Sequence, residues 1–343
     1  MDLKEALFAL SAADGPTGNE ADAVSAARAL IEPFVSSVTT DQIGNLFAIR
    51  ACGKFGAPRV LLDAHLDEVC LYVSGAEDGF LTFVNGGGID DRILPDAEVR
   101  ILCDPPLRGV ITCLPPHLLK ADERGKTVPK EQLAIDAALT SEQAAAIPVG
   151  TPVVWATEPN MLQGDHVCGK ALDDRAGFAV LLRAMEILQG ETLGCDVVVL
   201  GSVGEERGML GARTGAFSMM PHAAVVVDVT FAAQPDCDPD GTFALGCGPV
   251  IGICPMLSQG LTGKLRTICE EQEMPHRIEI MAGNPGTNAA ATQISREGVP
   301  TVMVSVPLRY MHTPREVVRL SDIEQSAQLI AQFLRGFGQE AAE

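Results

Sequence analysis

The sequence is poor in aromatic residues and has no cysteine pair with the spacing of a zinc site. Phe, Trp and Tyr make up 4% of the 343 residues, with a single Trp. Ten cysteines are present, but no two of them are separated by two residues, and most lie in apolar runs. This spacing excludes a Cys-type zinc site and argues against a disulfide framework. We therefore expect free thiols and a reducing compartment.

Long apolar segments are also missing. No apolar run reaches the ~18 residues that are needed to span a bilayer. Residues 1–5 are acidic and are not followed by the apolar core of a signal peptide. These features predict a cytoplasmic protein that does not interact with membranes.

Positive charge is scarce. Lys and Arg together number 25 against 45 Asp and Glu, so the formal net charge is −20. Such a chain is a poor ligand for nucleic acid phosphates or anionic lipids. It suits cations, either metal ions or substrates that carry an amine, although the same charge can serve solubility alone. The remaining composition, 47% hydrophobic and 20% charged, is that of a globular protein.

The chain has two regions that differ in their pattern of apolar, glycine, proline and charged residues. Between residues 71 and 164, short apolar runs alternate with Gly, Pro and charged residues, and helical periodicity is nearly absent. We predict that residues 71–164 form a small inserted all-β domain, and that residues 1–70 and 165–343 form one main domain.

The main domain has the pattern of an α/β fold. Residues 59–64, 196–203, 223–229 and 301–306 each contain a short apolar run, such as Val60-Leu61-Leu62, which is typical of strands buried on both faces. They alternate with segments of helical period, so we predict a mostly parallel sheet covered by helices on both faces. Further strands are predicted over 36–40, 45–50 and 278–282. Helices are predicted over 2–13, 20–34, 173–188, 264–273, 288–297 and 321–337, and after Gly208.

Acidic and imidazole side chains follow the carboxyl ends of the four apolar strands, and one more acid opens a predicted helix. Ligands of open α/β sheets bind at that edge, so these side chains should meet there. Imidazole and carboxylate without thiolate suit Zn²⁺, Co²⁺ or Mn²⁺, and a pair of ions needs a bridging carboxylate. The candidate residues are His65, Asp67, Asp173, Glu205, Glu206, Asp228 and His312.

Each candidate also has an ordinary interpretation. Asp173 fits a helix N-cap, and Glu205 and Glu206 fit the acidic first turn of a helix. His65 fits a hydrogen-bonded core histidine. Their joint position at strand ends favours a metal site.

Five short segments resemble those of one enzyme family. They are D-A-H-L-D-E at 63–68, G-K-A-L-D-D-R at 169–175, G-E-E-R-G at 204–208, D-V-T at 228–230 and R-Y-M-H-T-P at 309–314. Together with P-P-H-L at 115–118, these segments resemble those of the tetrahedral (TET) aminopeptidases. The resemblance extends over nearly the whole chain. These aminopeptidases are dinuclear metallopeptidases that are often named glutamyl or leucyl aminopeptidase, or endoglucanase. The resemblance implies a zinc-peptidase-like fold.

The resemblance implies two divalent metal ions, Zn²⁺ or Co²⁺ before Mn²⁺. His65 and Asp228 would bind one ion, and Glu206 and His312 would bind the other. Asp173 would bridge the two.

It also implies how the reaction is assisted. Glu205 would act as the general base that takes a proton from the attacking water. Asp67 would accept a hydrogen bond from the His65 imidazole and fix its tautomer. A cis peptide bond is implied between Asp173 and Asp174.

The implied substrates are peptides with a free N-terminus. In the resembled family, the inserted domain forms dimer contacts, and six dimers build a tetrahedral dodecamer. Asn288 departs from the family, which usually has Asp there, and this removes a charge near the site.

Three other functions remain open from the residues alone. A dinuclear deacylase of N-acyl amino acids would normally carry an α/β insertion and not an all-β one. A glycoside hydrolase would need two carboxylates across a sugar, and usually aromatic platforms that this chain lacks. A non-enzymatic assembly protein would be marked by a lost ligand, and every ligand is present.

Overall fold

The chain forms a mixed β-sheet covered by helices and a separate β-barrel, in a computed structural model that describes residues 1–122 and 124–338. The helices are α1 (Leu3–Ala12), α2 (Ala21–Ile31), α3 (Ser141–Ala145), α4 (Leu172–Ile187), α5 (Leu210–Met219), α6 (Gln259–Glu271), α7 (Asn288–Thr292) and α8 (Leu320–Gly336). The strands are β1 (Ser37–Thr40), β2 (Leu46–Arg50), β3 (Arg59–His65), β4 (Cys70–Glu77), β5 (Phe80–Gly86), β6 (Glu98–Ile101), β7 (Leu107–Thr112), β8 (Ala134–Asp136), β9 (Pro152–Trp155), β10 (Asn160–Met161), β11 (His166–Gly169), β12 (Asp196–Ser202), β13 (Ala223–Phe231), β14 (Val250–Ile253), β15 (Arg277–Ile280), β16 (Thr301–Leu308) and β17 (Glu316–Arg319). Within these ranges, no helix is both long and apolar enough to cross a membrane.

The central sheet has eight strands in the order β1-β2-β12-β3-β13-β16-β14-β15. Its centre, β12-β3-β13-β16, is parallel. On either side an antiparallel strand follows, β2 against β12 and β14 against β16. The central strands are almost completely buried, because they are covered on both faces. The sheet is therefore mixed, with the predicted parallel arrangement at its centre.

Helices cover both faces of this sheet. On one face, α4 lies centrally against β3 and β13, and α1, α2 and α8 pack around it. Because α4 is enclosed, its apolar residues run all round the helix, including the fully buried Phe178 and Leu181. On the other face, α5 and α7 pack on β12 and β13 through Ala216 and Ala289. The predicted α/β fold with helices on both faces is confirmed.

A closed barrel in the strand order β4-β5-β8-β7-β6-β9 is formed between Cys70 and Trp155. Its core contains Leu71, Ile111 and Trp155. Strand β10 then pairs with β11, and β11 pairs with β17 of the main domain. The assignment of residues 71–164 to a separate inserted domain stays a prediction.

Ion pairs connect the barrel to the main domain. Arg100 of β6 donates its Nε–H to Asp14 Oδ2 over 2.9 Å. Lys170 Nζ lies 3.3 Å from Asp14 Oδ1 and 2.6 Å from Glu68 Oε1, and its side chain is completely buried. Gly15 donates its backbone N–H to the same oxygen of Glu68. The chain before α2 is thus held between the barrel and the segment that carries Glu68.

Some elements differ from the prediction. Helix α6 begins at Gln259 and not at 264, because Ser258 caps it by accepting the N–H of Leu261. The glycines in its first turns interrupt the apolar periodicity that would have predicted this start. Helix α7 ends at Thr292 and not at 297. Strands β14 and β17 were not predicted, since each has only four residues and they lack a long apolar run.

Candidate metal centre

Four neighbouring strands and the start of α4 bring all the candidate residues except Asp67 to the wall of one cavity. His65 is the last residue of β3 and pairs with Ser202, the last residue of β12. Asp228 lies on β13, which is flanked by β3 and β16. Because these four strands are parallel, their carboxyl ends share one edge of the sheet. The cavity there has a volume of about 310 Å³, and its polar lining includes His65, Asp173, Glu205, Glu206, Asp228 and His312.

The Asp173 carboxylate lies between two imidazoles. Its Oδ1 is 3.1 Å from Nε2 of His65, and its Oδ2 is 3.3 Å from Nε2 of His312. Nε2 of His312 is also 3.2 Å from Oε1 of Glu206. Each of the two oxygens of Asp173 therefore faces a different imidazole. A carboxylate that bridges two metal ions needs this arrangement. The peptide bond between Asp173 and Asp174 is cis, as the resemblance implied.

Two sets of donor atoms share His65. One set is His65, Asp173 and Glu206, and the other is His65, Asp174 and Asp228; within each, the donor atoms lie within 4.8 Å of one another. Asp174 was not predicted as a site residue. Its Oδ1 accepts the N–H of Gly177, whereas its Oδ2 is buried without a hydrogen-bond partner. The only sequence signal was its place in the D-D pair, which also fits a helix cap.

Asp67 holds the loop that follows β12. Its two carboxylate oxygens accept the backbone N–H groups of Glu205 and Glu206, over 3.0 and 3.1 Å. Nδ1 of His65 lies 3.4 Å from the Asp67 carboxylate and 3.2 Å from its backbone oxygen. Asp67 therefore contacts the His65 ring and also fixes the two glutamates, a second role that the sequence did not reveal.

Glu316 has a similar positioning role, which its sequence context does not indicate. Its Oε2 accepts the N–H of Asp173 over 3.0 Å, and its Oε1 accepts the N–H of His312 over 2.8 Å. The side chain is buried, and burial raises its pKa well above the usual range. One carboxylate thus connects two loops that carry candidate ligands. In the sequence, Glu316 is an acid four residues after His312, with nothing to distinguish it from a surface residue.

The barrel also contributes to the site. Nδ1 of His312 lies 2.6 Å from the backbone oxygen of Gly88, in the segment after β5. A carbonyl can only accept, so this contact places the proton on Nδ1 and leaves Nε2 facing Asp173 and Glu206. Such a contact sets which imidazole nitrogen is available to a metal ion.

Burial and crowding shift the acid–base properties of the site. Burial raises the pKa of Glu205 to about 7, and Glu206 adds to the rise. Burial lowers the pKa of His312, but hydrogen bonds with Asp173 and Glu206 outweigh this effect and raise it to about 11. The pKa of Asp228 rises well above its usual range through burial. The buried carboxylates of the site outnumber the two imidazoles that could balance their charge, and these oxygen and nitrogen donors fit divalent cations.

Asn288 lies behind the site and does not line the cavity. Its amide donates to Ser202 Oγ over 2.8 Å, and that hydroxyl donates to Asp63 over 2.7 Å. Burial raises the pKa of Asp63 to about 7. An amide at position 288 therefore avoids a second buried carboxyl near Asp63.

An α/β sheet whose strand ends bring two imidazoles and a group of carboxylates to one cavity is the arrangement of a metal-dependent hydrolase. A family model described as M42 glutamyl aminopeptidase matches residues 44–329, and the chain belongs to this family. The resemblance to the TET aminopeptidases is thereby confirmed, and the protein is a metal-dependent hydrolase that acts on peptides. The match favours the aminopeptidase over the deacylase and glycoside hydrolase alternatives.

Known proteins of this family are similar over nearly their full length. The chain is 31% identical over 306 residues to a lysyl aminopeptidase of Pyrococcus furiosus, covering 88% of this chain and 87% of that protein. It superposes on the TET aminopeptidase of a marine-sediment Thaumarchaeota archaeon with a TM-score of 0.93, at 30% identity, covering 98% and 97% of the two chains. For the TET1 peptidase of Pyrococcus horikoshii, which can assemble into a tetrahedron or a large octahedral shell, the TM-score is 0.86, at 30% identity and with 98% and 100% coverage.

Proposed function

We propose that the protein removes residues from the N-termini of peptides with two divalent metal ions in this cavity. The observation that carries the proposal is the position of the Asp173 carboxylate between the Nε2 atoms of His65 and His312. His65 and Asp228 are assigned to one ion, Glu206 and His312 to the other, and Asp173 to both. Zn²⁺ or Co²⁺ suits these donors best, and Mn²⁺ is acceptable.

Different residues of the site have different roles in the reaction. Divalent ions bound here would polarise the scissile carbonyl and make water easier to deprotonate. Glu205 takes the proton from the attacking water and passes it to the leaving amine, and a pKa of about 7 suits both transfers. Asp67 keeps Glu205 in place by accepting a hydrogen bond from the backbone N–H of Glu205. The carboxylates of the cavity favour the cationic α-amine of the substrate.

Metal removal tests the activity. The protein is treated with EDTA, reloaded with Zn²⁺, Co²⁺ or Mn²⁺, and assayed with aminoacyl-p-nitroanilides, with N-acetyl-Leu-p-nitroanilide as the control. We expect hydrolysis that needs both a metal ion and a free amine. Cleavage of the acetylated substrate, or activity that survives the chelator, would contradict the proposal.

The role of Glu205 is tested separately. Glu205→Gln should lower kcat by about 10²–10⁴-fold, because general-base assistance is lost. Metal content should be unchanged, since Glu205 is not assigned as a ligand. Loss of metal in this variant would show that the assigned roles are wrong.

We further propose a homo-oligomer in which residues 71–164 form dimer contacts, with six dimers in a tetrahedral dodecamer. The assembly of the similar TET1 peptidase supports this proposal. So do Leu114 and Leu118, which are large apolar side chains exposed after β7. Light scattering tests it, and a monomer at micromolar concentration would contradict it. A location in the cytoplasm stays a prediction.

A further inference from the structure

The lining of the cavity also includes residues that are not candidate metal ligands. Among them are Met281, Met303 and Met311, together with Thr230 and Glu279. Methionine side chains are flexible and apolar, and they adapt to the stem of a bound side chain. A single carboxylate stands among them.

The Glu279 carboxylate is only partly satisfied. Its Oε1 accepts the hydroxyl of Thr230 over 2.9 Å. Its Oε2 is buried and has no hydrogen-bond partner. Burial raises the pKa of Glu279, and the hydrogen bond from Thr230 opposes this rise. A half-buried carboxylate with one buried, unpaired oxygen is stabilised when a cation binds to it.

The position of Glu279 relates this carboxylate to the reaction site. Thr230 follows Asp228 by two residues on β13, so both side chains lie on the same face of the strand. Two residues of a strand span about 7 Å. The carboxylate held by Thr230 therefore lies about one long side chain away from Asp228.

We propose that Glu279 selects substrates whose N-terminal residue carries a positive charge at the end of a long side chain, namely Lys or Arg. The inference rests on the proposed aminopeptidase function. The aliphatic stem packs against Met281 and Met303, and the ammonium or guanidinium group donates to the Glu279 carboxylate. A leucine at this position would leave Oε2 unpaired, and a glutamate would be repelled.

The test compares two substrates that differ in one charged group. Values of kcat/KM are measured for Lys-p-nitroanilide and norleucine-p-nitroanilide with the metal-loaded protein. We expect the lysine substrate to be preferred by about 10- to 100-fold, the range that one hydrogen-bonded ion pair provides. This comparison needs no variant, and a ratio near one would overturn the inference.

Variants assign the preference to Glu279. Glu279→Gln should bring the lysine-to-norleucine ratio close to one. Glu271→Gln removes an exposed carboxylate at the end of α6 and should keep the ratio of the unmodified protein. A preference that survives in Glu279→Gln, or that disappears equally in Glu271→Gln, would overturn the inference.

The two proposals fail in different ways. Hydrolysis of norleucine-p-nitroanilide without a preference for lysine overturns the role of Glu279 and leaves the aminopeptidase in place. No hydrolysis of any aminoacyl substrate with any of the three metals overturns the proposed function itself.

Discussion

The backbone oxygen of Gly88 accepts a hydrogen bond from Nδ1 of His312 over 2.6 Å. Gly88 precedes β6 of the barrel, whereas His312 follows β16 of the main domain. A Cβ atom on Gly88 would lie 3.3 Å from Nδ1, closer than side chains normally approach. The orientation of this imidazole therefore depends on a residue without a side chain in another part of the chain.

Gly88→Ala tests this dependence. The added methyl group should displace the ring from its position against Gly88 and so disturb the contacts of Nε2, and we expect kcat/KM to fall about 10-fold or more, with a loss of metal. Activity and metal content are measured together. Gly241→Ala adds the same methyl group where nothing lies within 4 Å, and it should change neither. Unchanged metal binding in Gly88→Ala would show that the contact is not needed.

Glu316→Gln should weaken metal binding. An amide has a single acceptor oxygen, so the N–H of either Asp173 or His312 would face an NH₂ group. We expect an affinity loss of about 10- to 100-fold, measured by equilibrium dialysis with Zn²⁺. Glu297→Gln removes an exposed carboxylate beyond α7 and serves as the control. Equal affinities in the two variants would contradict the positioning role of Glu316.

Lys170→Met should destabilise the fold. It leaves Glu68 buried without its closest cation, and breaking such a pair costs about 3–5 kcal/mol. The free energy of unfolding is measured by denaturant titration of both proteins. Lys4→Met, at a partly exposed lysine of α1, should change it little. A loss below about 1 kcal/mol in Lys170→Met would show that Glu68 is stabilised by other groups.

Metal uptake should release protons. Hydrogen bonds with Asp173 and Glu206 raise the pKa of His312 to about 11 against the opposing effect of burial, so the metal-free imidazole is protonated at neutral pH. A nitrogen must lose that proton to bind a cation, and affinity should therefore rise with pH. Calorimetry in two buffers of different ionisation enthalpy should give different heats. Equal heats would mean that no proton is released.

Side chains delivered by long buried strands were predictable from the sequence. The apolar runs that became β3, β12, β13 and β16 predict a common edge, and residues at the end of such a run or just after it are expected there. His65 and Asp228 are examples, and the structure places both at the cavity. Their roles as ligands stay predictions.

Contacts made by loops were not predictable in this way. Glu316 and Gly88 act through hydrogen bonds that involve the backbone, and these depend on how two distant loops meet. Nothing in the residue types at these positions indicates that meeting. The same holds for Glu279, whose strand, β15, lies at the edge of the sheet. Its hydrogen bond with Thr230 depends on the order of the strands in the sheet, which the sequence does not indicate.

The ion pair between Arg100 and Asp14 limits how easily the barrel could be exchanged for the barrel of another protein. Arg100 belongs to the barrel, and Asp14 is held in the main domain beside Lys170. A barrel grafted from another protein would have to supply a guanidinium group at this place as well as a carbonyl for His312. We therefore expect a natural or engineered chimera to function best when the barrel and the main domain that share both contacts are inherited together.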